Sequence, residues 1–140
     1  SIERYWEKCT ARECSIAELA ASQLVLSLFP GVGLLDMAFQ QFGFCVVRGP
    51  DLIHGADMRD WRVPPDGRFD GIIAGPPCQG FSQANSQRHD PDHPSVRHSQ
   101  EMLQLVATII DYTRPRWALV ENVPSVPEPD YPDHHAADPY

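Results

Sequence analysis

Residues 24–48 read LVLSLFPGVGLLDMAFQQFGFCVVR. The apolar run 24–29 has the length of a strand, and apolar residues recur at helical spacing through 34–42 before Gly43 ends the pattern. The last five residues, 44–48, predict a second strand. A strand, a glycine-containing turn, a helix and a strand in this order indicate a unit of a parallel sheet.

Two further strands are predicted on the C-terminal side, FDGIIAG over 69–75 and WALVEN over 117–122. Residues 101–112, EMLQLVATIIDY, form the clearest amphipathic helix in the chain. Residues 49–68 are rich in turn residues, and the polar, histidine-rich segment 85–99 predicts a mobile loop. Alternating strands and helices predict an open, mostly parallel α/β sheet, in which ligands bind beyond the carboxyl ends of the strands.

Length and composition favour a single globular unit of 140 residues. We divide it into a helical extension over 1–22, a main domain over 23–123 and an acidic, proline-rich tail over 124–140. No apolar run is long enough to cross a membrane. The four cysteines follow no secretory signal, which favours reduced thiols in a cytoplasmic protein. Cys9 and Cys14 make only half of a metal site, so no metal is expected.

The net charge of −8 weighs against a self-sufficient nucleic-acid-binding chain, because such chains normally present a basic face to phosphate. Any function on DNA therefore needs an explanation for this acidity.

The turn FPGVG, 29–33, has two interpretations. It is either a tight turn only or a place where a ligand approaches the backbone at the start of a helix. Asp51 follows Gly31 by 20 residues, just past the second strand, where an acid can accept hydrogen bonds from a ribose. The third glycine of the dinucleotide pattern is absent, so the turn favours an adenosine-containing cofactor without a pyrophosphate.

Two reactive side chains follow strand ends. Cys78 lies in GPPCQGFS, 75–82, and could pack, bind a metal or act as a nucleophile, to which amide groups beyond the turn would give thiolate character. Glu121 ends the last strand. It is either an acid facing water or a buried group whose burial favours the protonated, proton-donating form.

Taken together, FPGVGLLDMAF, GPPCQGFS and ENV occur in the order and spacing of the cytosine-carbon-5 DNA methyltransferases, and the chain resembles this family over residues 24–123. The eight residues of GPPCQGFS are the most specific part of the match. The resemblance implies the Rossmann-like fold of S-adenosylmethionine-dependent methyltransferases and, as the activity, methyl transfer to carbon 5 of cytosine in double-stranded DNA through a covalent cysteine adduct.

The resemblance also implies an S-adenosylmethionine pocket formed by Phe29, Pro30, Gly31, Gly33, Asp51, Asp57, Met58 and Pro76. Phe29 is expected near the adenine and Asp51 at the ribose hydroxyls. Asp57 is expected to accept from the adenine amino group, with Met58 against the ring.

The implied catalytic residues are Cys78, Pro77, Glu121 and Asn122. Cys78 is the expected nucleophile, held by Pro77, while Glu121 engages the cytosine ring with support from Asn122. Ser82 is the DNA contact that the resemblance implies, at a phosphate. Arg88 and Arg97, in the histidine-rich segment 85–99, are further candidate phosphate contacts, although a solvated loop explains this segment equally well.

The sequence departs from the family in two respects. Asp57 follows Asp51 by only six positions, which is typical of compact, phage-like members. The family's later Gln-x-Arg-x-Arg strand, target-recognition region and final segment do not follow ENV. We therefore expect a truncated or split enzyme that is inactive alone and is completed by a complementary subunit or by self-association. The alternatives are a non-catalytic cofactor-binding module and a tRNA cytosine-carbon-5 methyltransferase.

Overall fold

The structure is a computed structural model that describes residues 23–63 and 68–127. The extension 1–22, with Cys9 and Cys14, and residues 128–140 of the tail lie outside the described residues. The elements follow in the order β1 (Leu24–Leu28), α1 (Leu34–Gln41), β2 (Cys45–Arg48), a 3-10 turn (Leu52–His54), β3 (Gly71–Ala74), α2 (Pro94–Thr113) and β4 (Trp117–Val120).

The four strands form one parallel sheet in the order β2-β1-β3-β4. This confirms the predicted α/β fold class. β2 lies on one side of β1 and β3 lies on the other side. The direction in which successive strands are added to the sheet therefore reverses between β1 and β3, although all strands stay parallel. In open α/β sheets such a reversal opens a crevice beyond the carboxyl ends of the two strands.

The core lies between the sheet and α2. β1 and β3 are the central strands, and their apolar side chains are almost fully buried, as expected for parallel strands that are covered on both faces. Leu26, Leu28 and Ile72 pack in one cluster with Val106 and Ile109 of α2. The apolar stripe predicted in the C-terminal helix is thus the one that builds the core.

The other face of the sheet carries an aromatic cluster that joins α1 and β2 to β4. Phe39 stacks on Trp117 with ring centroids 5.6 Å apart, and Phe44 meets the edge of the same indole at 5.8 Å. The apolar residues at the two ends of α1 are exposed, with Leu34 72% and Phe42 45% accessible. Only part of the predicted apolar stripe of α1 is therefore covered by the described residues.

The prediction of a mobile loop over 85–99 is wrong in its C-terminal part, because α2 begins at Pro94. Proline at the first helical position needs no hydrogen-bond acceptor and has a helical φ. The His93 ring accepts a hydrogen bond from the Ser95 amide, which caps the helix. Capping and a polar first turn explain why the start of this helix carries no apolar signal in the sequence.

No helix among the described residues is long and apolar enough to cross a membrane. Within the same residues, no group of three or more histidine, cysteine or acidic side chains is arranged to hold a metal ion.

Candidate functional site

The turn after β1 has an unusual backbone. Phe29 has φ 55°, although it is not a glycine, and Gly31 and Gly33 have φ 53° and 82°. The Gly33 amide donates to the carbonyl of the buried Pro30 at 2.8 Å, which closes the turn just before α1. A bulky residue in the left-handed region costs free energy and persists only where the surroundings fix it.

Asp51 holds this turn from the β2 side. One carboxylate oxygen accepts from the Gly31 amide at 2.8 Å, and the other accepts from the Ile53 amide at 3.0 Å, where Asp51 caps the 3-10 turn. The His54 ring lies 3.2 Å from the Gly31 carbonyl oxygen. The 20-residue spacing in the sequence thus corresponds to a direct contact between the acid and the glycine turn.

A cleft of about 310 Å³ opens beyond the carboxyl ends of β1 and β3. Of the residues predicted to form the cofactor pocket, it is lined by Phe29, Gly31, Asp51, Asp57 and Met58, and Pro77 of the nucleophile turn joins them. Three others do not line the cleft: Pro30 and Pro76 are buried beside it, and Gly33 packs at the start of α1.

The sequence prediction missed a second group of lining residues, which are Leu52, Ile53, Gly75, Gln79, His98 and Met102. Leu52 and Ile53 are exposed in the structure. Their position directly after Asp51 was visible in the sequence and could have indicated that they line the same pocket. His98 and Met102 lie four residues apart on one face of α2. Met102 belongs to the predicted helix, whereas the placement of His98 depends on the early start of this helix.

Arg59 pairs with Asp57 at the rim of the cleft. Nε and Nη2 of Arg59 lie 3.0 Å and 2.5 Å from the two carboxylate oxygens, and the Arg59 amide donates at 2.9 Å. The side-chain hydrogen bond from Arg59, followed by the backbone one, lowers the pKa of Asp57 to about 2. The same pair raises the pKa of Arg59. Asp57 is therefore an anionic acceptor throughout the physiological range.

Cys78 is half-buried in the turn after β3, next to Pro77 and hence next to the cleft. Its carbonyl oxygen accepts from the amides of Phe81 and Ser82 at 2.9 and 3.0 Å. These two amides bind the Cys78 carbonyl oxygen, and the expectation that amides beyond the turn favour a thiolate stays a prediction. What the turn provides is a fixed backbone position for the thiol.

The nucleophile turn is attached to α2 on one side. The Gly80 amide donates to Ser99 Oγ at 3.0 Å, and Ser99 is fully buried. Gly80 is pressed against the helix backbone, since a β-carbon there would lie 2.5 Å from the Ser95 carbonyl oxygen. Asn85 adds hydrogen bonds to Gln79 and Ser95.

The turn is attached to the end of β4 on the other side. Asn122 Nδ2 donates to the Pro76 carbonyl oxygen at 3.3 Å, and Ser125 Oγ donates to the Phe81 carbonyl oxygen at 2.5 Å. Glu121 is anchored through its amide to the Ala74 carbonyl oxygen at 2.9 Å, but its side chain is exposed. The burial considered for Glu121 from the sequence is absent, and one carboxylate oxygen lies beside Gly75.

The three residues predicted to contact DNA lie around the same turn. Ser82 Oγ accepts from the Ala84 amide at 3.3 Å, and Arg88 donates to the Gln83 carbonyl oxygen at 2.9 Å. Arg97 is exposed on the first turn of α2. Arg88 also lines a second cavity, of about 270 Å³, together with Phe81 and residues near Ser125.

Comparison with known proteins connects this geometry to a family. The family described as C-5 cytosine-specific DNA methylase matches residues 53–133. The type II methyltransferase M.FnuDI of Fusobacterium nucleatum is 32% identical over 114 residues, which cover 71% of this chain and 32% of the relative. M.NgoPII of Neisseria gonorrhoeae is 29% identical over 118 residues, with coverage of 71% and 33%. The DNA (cytosine-5)-methyltransferase CMT1 of Oryza sativa subsp. japonica is 39% identical over 61 residues, with coverage of 44% and 6%. The chain thus spans about a third of the length of the two bacterial relatives.

Proposed function

Because the chain belongs to the C-5 cytosine-specific DNA methylase family, we propose that it provides the cofactor pocket and the nucleophile of a DNA (cytosine-5-)-methyltransferase. The observation that carries the proposal is adjacency: Pro77, which precedes Cys78, lines the same cleft as Asp51 and Asp57. A thiol and a methyl donor must lie in neighbouring positions if both are to reach one cytosine ring.

The side chains of the cleft fit S-adenosylmethionine. A volume of about 310 Å³ lies at the lower end of the range for small-molecule pockets. Each carboxylate oxygen of Asp51 accepts one amide and keeps a lone pair for a ribose hydroxyl. The anionic Asp57 would accept from the adenine amino group, with the ring between Phe29 and Met58. When bound, this cofactor supplies an electrophilic methyl group on a sulfonium.

Cys78 would start the reaction as a thiolate. Its sulfur adds to carbon 6 of cytosine, which makes carbon 5 nucleophilic towards the methyl group. After transfer, a base removes the proton from carbon 5, the bond between sulfur and carbon 6 breaks, and the thiolate is regenerated. The exposed Glu121 would bind the ring nitrogen and the exocyclic amino group, and Asn122 would hold the end of β4 against the nucleophile turn through Pro76.

DNA would lie over the nucleophile turn, with phosphates near Ser82, Arg88 and Arg97. A net charge of −8 gives the chain little attraction for a polyanion. We therefore propose that a complementary polypeptide or a second copy supplies further cations and helps to extrude the target base from the duplex, which costs a few kcal/mol. A cytoplasmic location would place the enzyme with its DNA.

A short single-stranded oligonucleotide containing 5-fluorocytosine tests the chemistry without duplex recognition or base extrusion. Fluorine at carbon 5 prevents the final elimination, so an adduct formed with S-adenosylmethionine persists and accumulates during a long incubation, even where the chain alone turns over too slowly for a methyl-transfer assay to detect. Mass spectrometry should find the oligonucleotide on Cys78 in the wild type and in Cys45→Ala, which keeps the nucleophile, and not in Cys78→Ala. An adduct in Cys78→Ala, or none in a wild type that binds the cofactor, would contradict the proposal.

A further inference from the structure

Ser27, Asp36 and Arg48 form a hydrogen-bonded cluster behind the glycine turn, in which Ser27 and Asp36 are buried and Arg48 is partly exposed. Asp36 lies within FPGVGLLDMAF, but the proposed mechanism assigns no role to any of the three residues. Asp36 of α1 is fully buried. Its carboxylate accepts from Ser27 Oγ at 2.5 Å and from Arg48 Nε at 2.6 Å. The three residues come from β1, α1 and β2, and Ser27 and Arg48 are paired in the β1–β2 register.

The cluster lies directly against the turn. A β-carbon on Gly33 would lie 2.5 Å from Nη2 and 3.0 Å from Cζ of Arg48, so the guanidinium packs on the backbone where the turn enters α1. Asp51 holds the same turn at Gly31, at the opposite end of the glycine pair. The turn is thus held at two points from the β2 side. Asp51 accepts directly from the Gly31 amide, and Asp36 holds the Arg48 guanidinium that packs on Gly33.

The backbone of the turn requires such support. Phe29 has a positive φ, which is costly for a residue with a side chain, and Gly31 and Gly33 can adopt many other conformations, so the turn relaxes unless its surroundings fix it. A buried carboxylate is costly without partners, so Asp36 has one favourable arrangement, with Ser27 on one oxygen and Arg48 on the other. This single arrangement also determines where the guanidinium meets Gly33.

We infer that Asp36 and Arg48 are positioning residues that hold the Phe29–Gly33 turn in the conformation that binds the cofactor. The inference rests on the proposed function, because it concerns the pocket assigned there to S-adenosylmethionine. If the turn adopts its binding conformation less often, the apparent affinity falls by the same fraction. The cluster would thus control affinity without contacting the ligand.

Amide hydrogen exchange in the ligand-free protein tests the inference independently of binding. In Arg48→Met, exchange at the Gly31 and Gly33 amides should rise about tenfold or more, since one charge-assisted hydrogen bond is lost. Exchange at Ile72 in β3, which opens by global unfolding, measures how far the substitution lowers overall stability. Arg48→Lys, which keeps a cation for Asp36, should recover part of the protection, and Arg116→Met at the far end of the sheet should have no effect. A parallel titration with S-adenosylmethionine should show weaker binding only for the variants with faster exchange at the turn.

Several outcomes would overturn the inference. Unchanged exchange at both glycines in a folded Arg48→Met would do so, as would an equal rise at these glycines in Arg116→Met, which would mean that the effect does not come from the cluster. If Arg48→Met does not fold, Ser27→Ala removes only the hydroxyl donor of Asp36 and keeps the ion pair with Arg48. Its effect is then measured by exchange at the same Gly31 and Gly33 amides. Absence of S-adenosylmethionine binding in every protein, the wild type included, would refute the proposed cofactor site, and the exchange data would still decide the role of the cluster.

Discussion

Substitution of Gly80 by alanine should destabilise the protein by forcing the nucleophile turn away from α2. The added β-carbon would lie 2.5 Å from the Ser95 carbonyl oxygen, 2.7 Å from Val96 Cα and 2.9 Å from Ser99 Cβ. These atoms belong to or adjoin the helix backbone and cannot move aside, and overpacking of this kind costs about 1–3 kcal/mol. Loss of the hydrogen bond from the Gly80 amide to Ser99 Oγ adds about 1 kcal/mol, so the total is roughly 2–4 kcal/mol.

Gly75→Ala is the matched control, because its β-carbon would lie 3.9 Å from the Phe29 carbonyl oxygen and 4.0 Å from Glu121 Oε2, which are ordinary contacts. Neither glycine has a positive φ, so the two substitutions differ only in available space. Urea unfolding should place the midpoint of Gly80→Ala below those of the wild type and Gly75→Ala, by about 1 M or more for a typical m-value. Ser99→Ala measures the hydrogen bond alone. Equal midpoints for the two alanine variants would refute the steric reasoning.

Two further predictions concern Arg114 and Arg59, which the sequence motifs do not include. Arg114 ends α2 with φ 47°, so Arg114→Gly should stabilise the protein by about 1 kcal/mol, and a thermal midpoint that stays the same or falls would contradict this. Since Arg59 lowers the pKa of Asp57 to about 2, carbon-detected NMR should find the Asp57 titration midpoint there in the wild type and closer to the ordinary value of about 4 in Arg59→Met. Because the pKa of Asp57 is lowered, the ion pair contributes stability above the unfolded-state pKa, and this contribution is lost as the pH falls through about 2. An Asp57 titration midpoint that does not change in Arg59→Met would exclude Arg59 as the cause of the lowered pKa.

The sequence was sufficient for features that depend on neighbouring residues. The apolar runs marked all four strands, and the glycine spacing marked the turn between β1 and α1, because strand burial and positive φ leave local signals. The spacing of 20 residues placed Asp51 near the glycine turn, since consecutive strands in a parallel unit place their carboxyl ends side by side, but it did not predict that Asp51 accepts from the Gly31 amide.

Features that depend on distant contacts could not be predicted in this way. The early start of α2 at Pro94 depends on a histidine cap, so local polarity did not place His98 on the helix. Met102 lies in the predicted helix, but its position at the cleft depends on packing between elements. The attachment of Gly80 to Ser99 joins residues 19 apart, and Asp36 appears in the sequence as an ordinary polar position of a helix. The burial of Asp36 beside Arg48 depends on packing between α1 and β2, and the spacing of apolar residues along the sequence does not show it.

Titration of the chain with S-adenosylmethionine, followed by NMR of backbone amides, tests most directly whether the cleft between β1 and β3 is a methyl-donor site. Saturable shifts should concentrate at Phe29, Gly31, Leu52 and Met58, and calorimetry should show weaker binding for Asp57→Ala than for Asp60→Ala, a neighbouring acid outside the cleft lining. Absence of saturable shifts at these amides, or equal affinity in Asp57→Ala and the wild type, would contradict the assignment of the cleft.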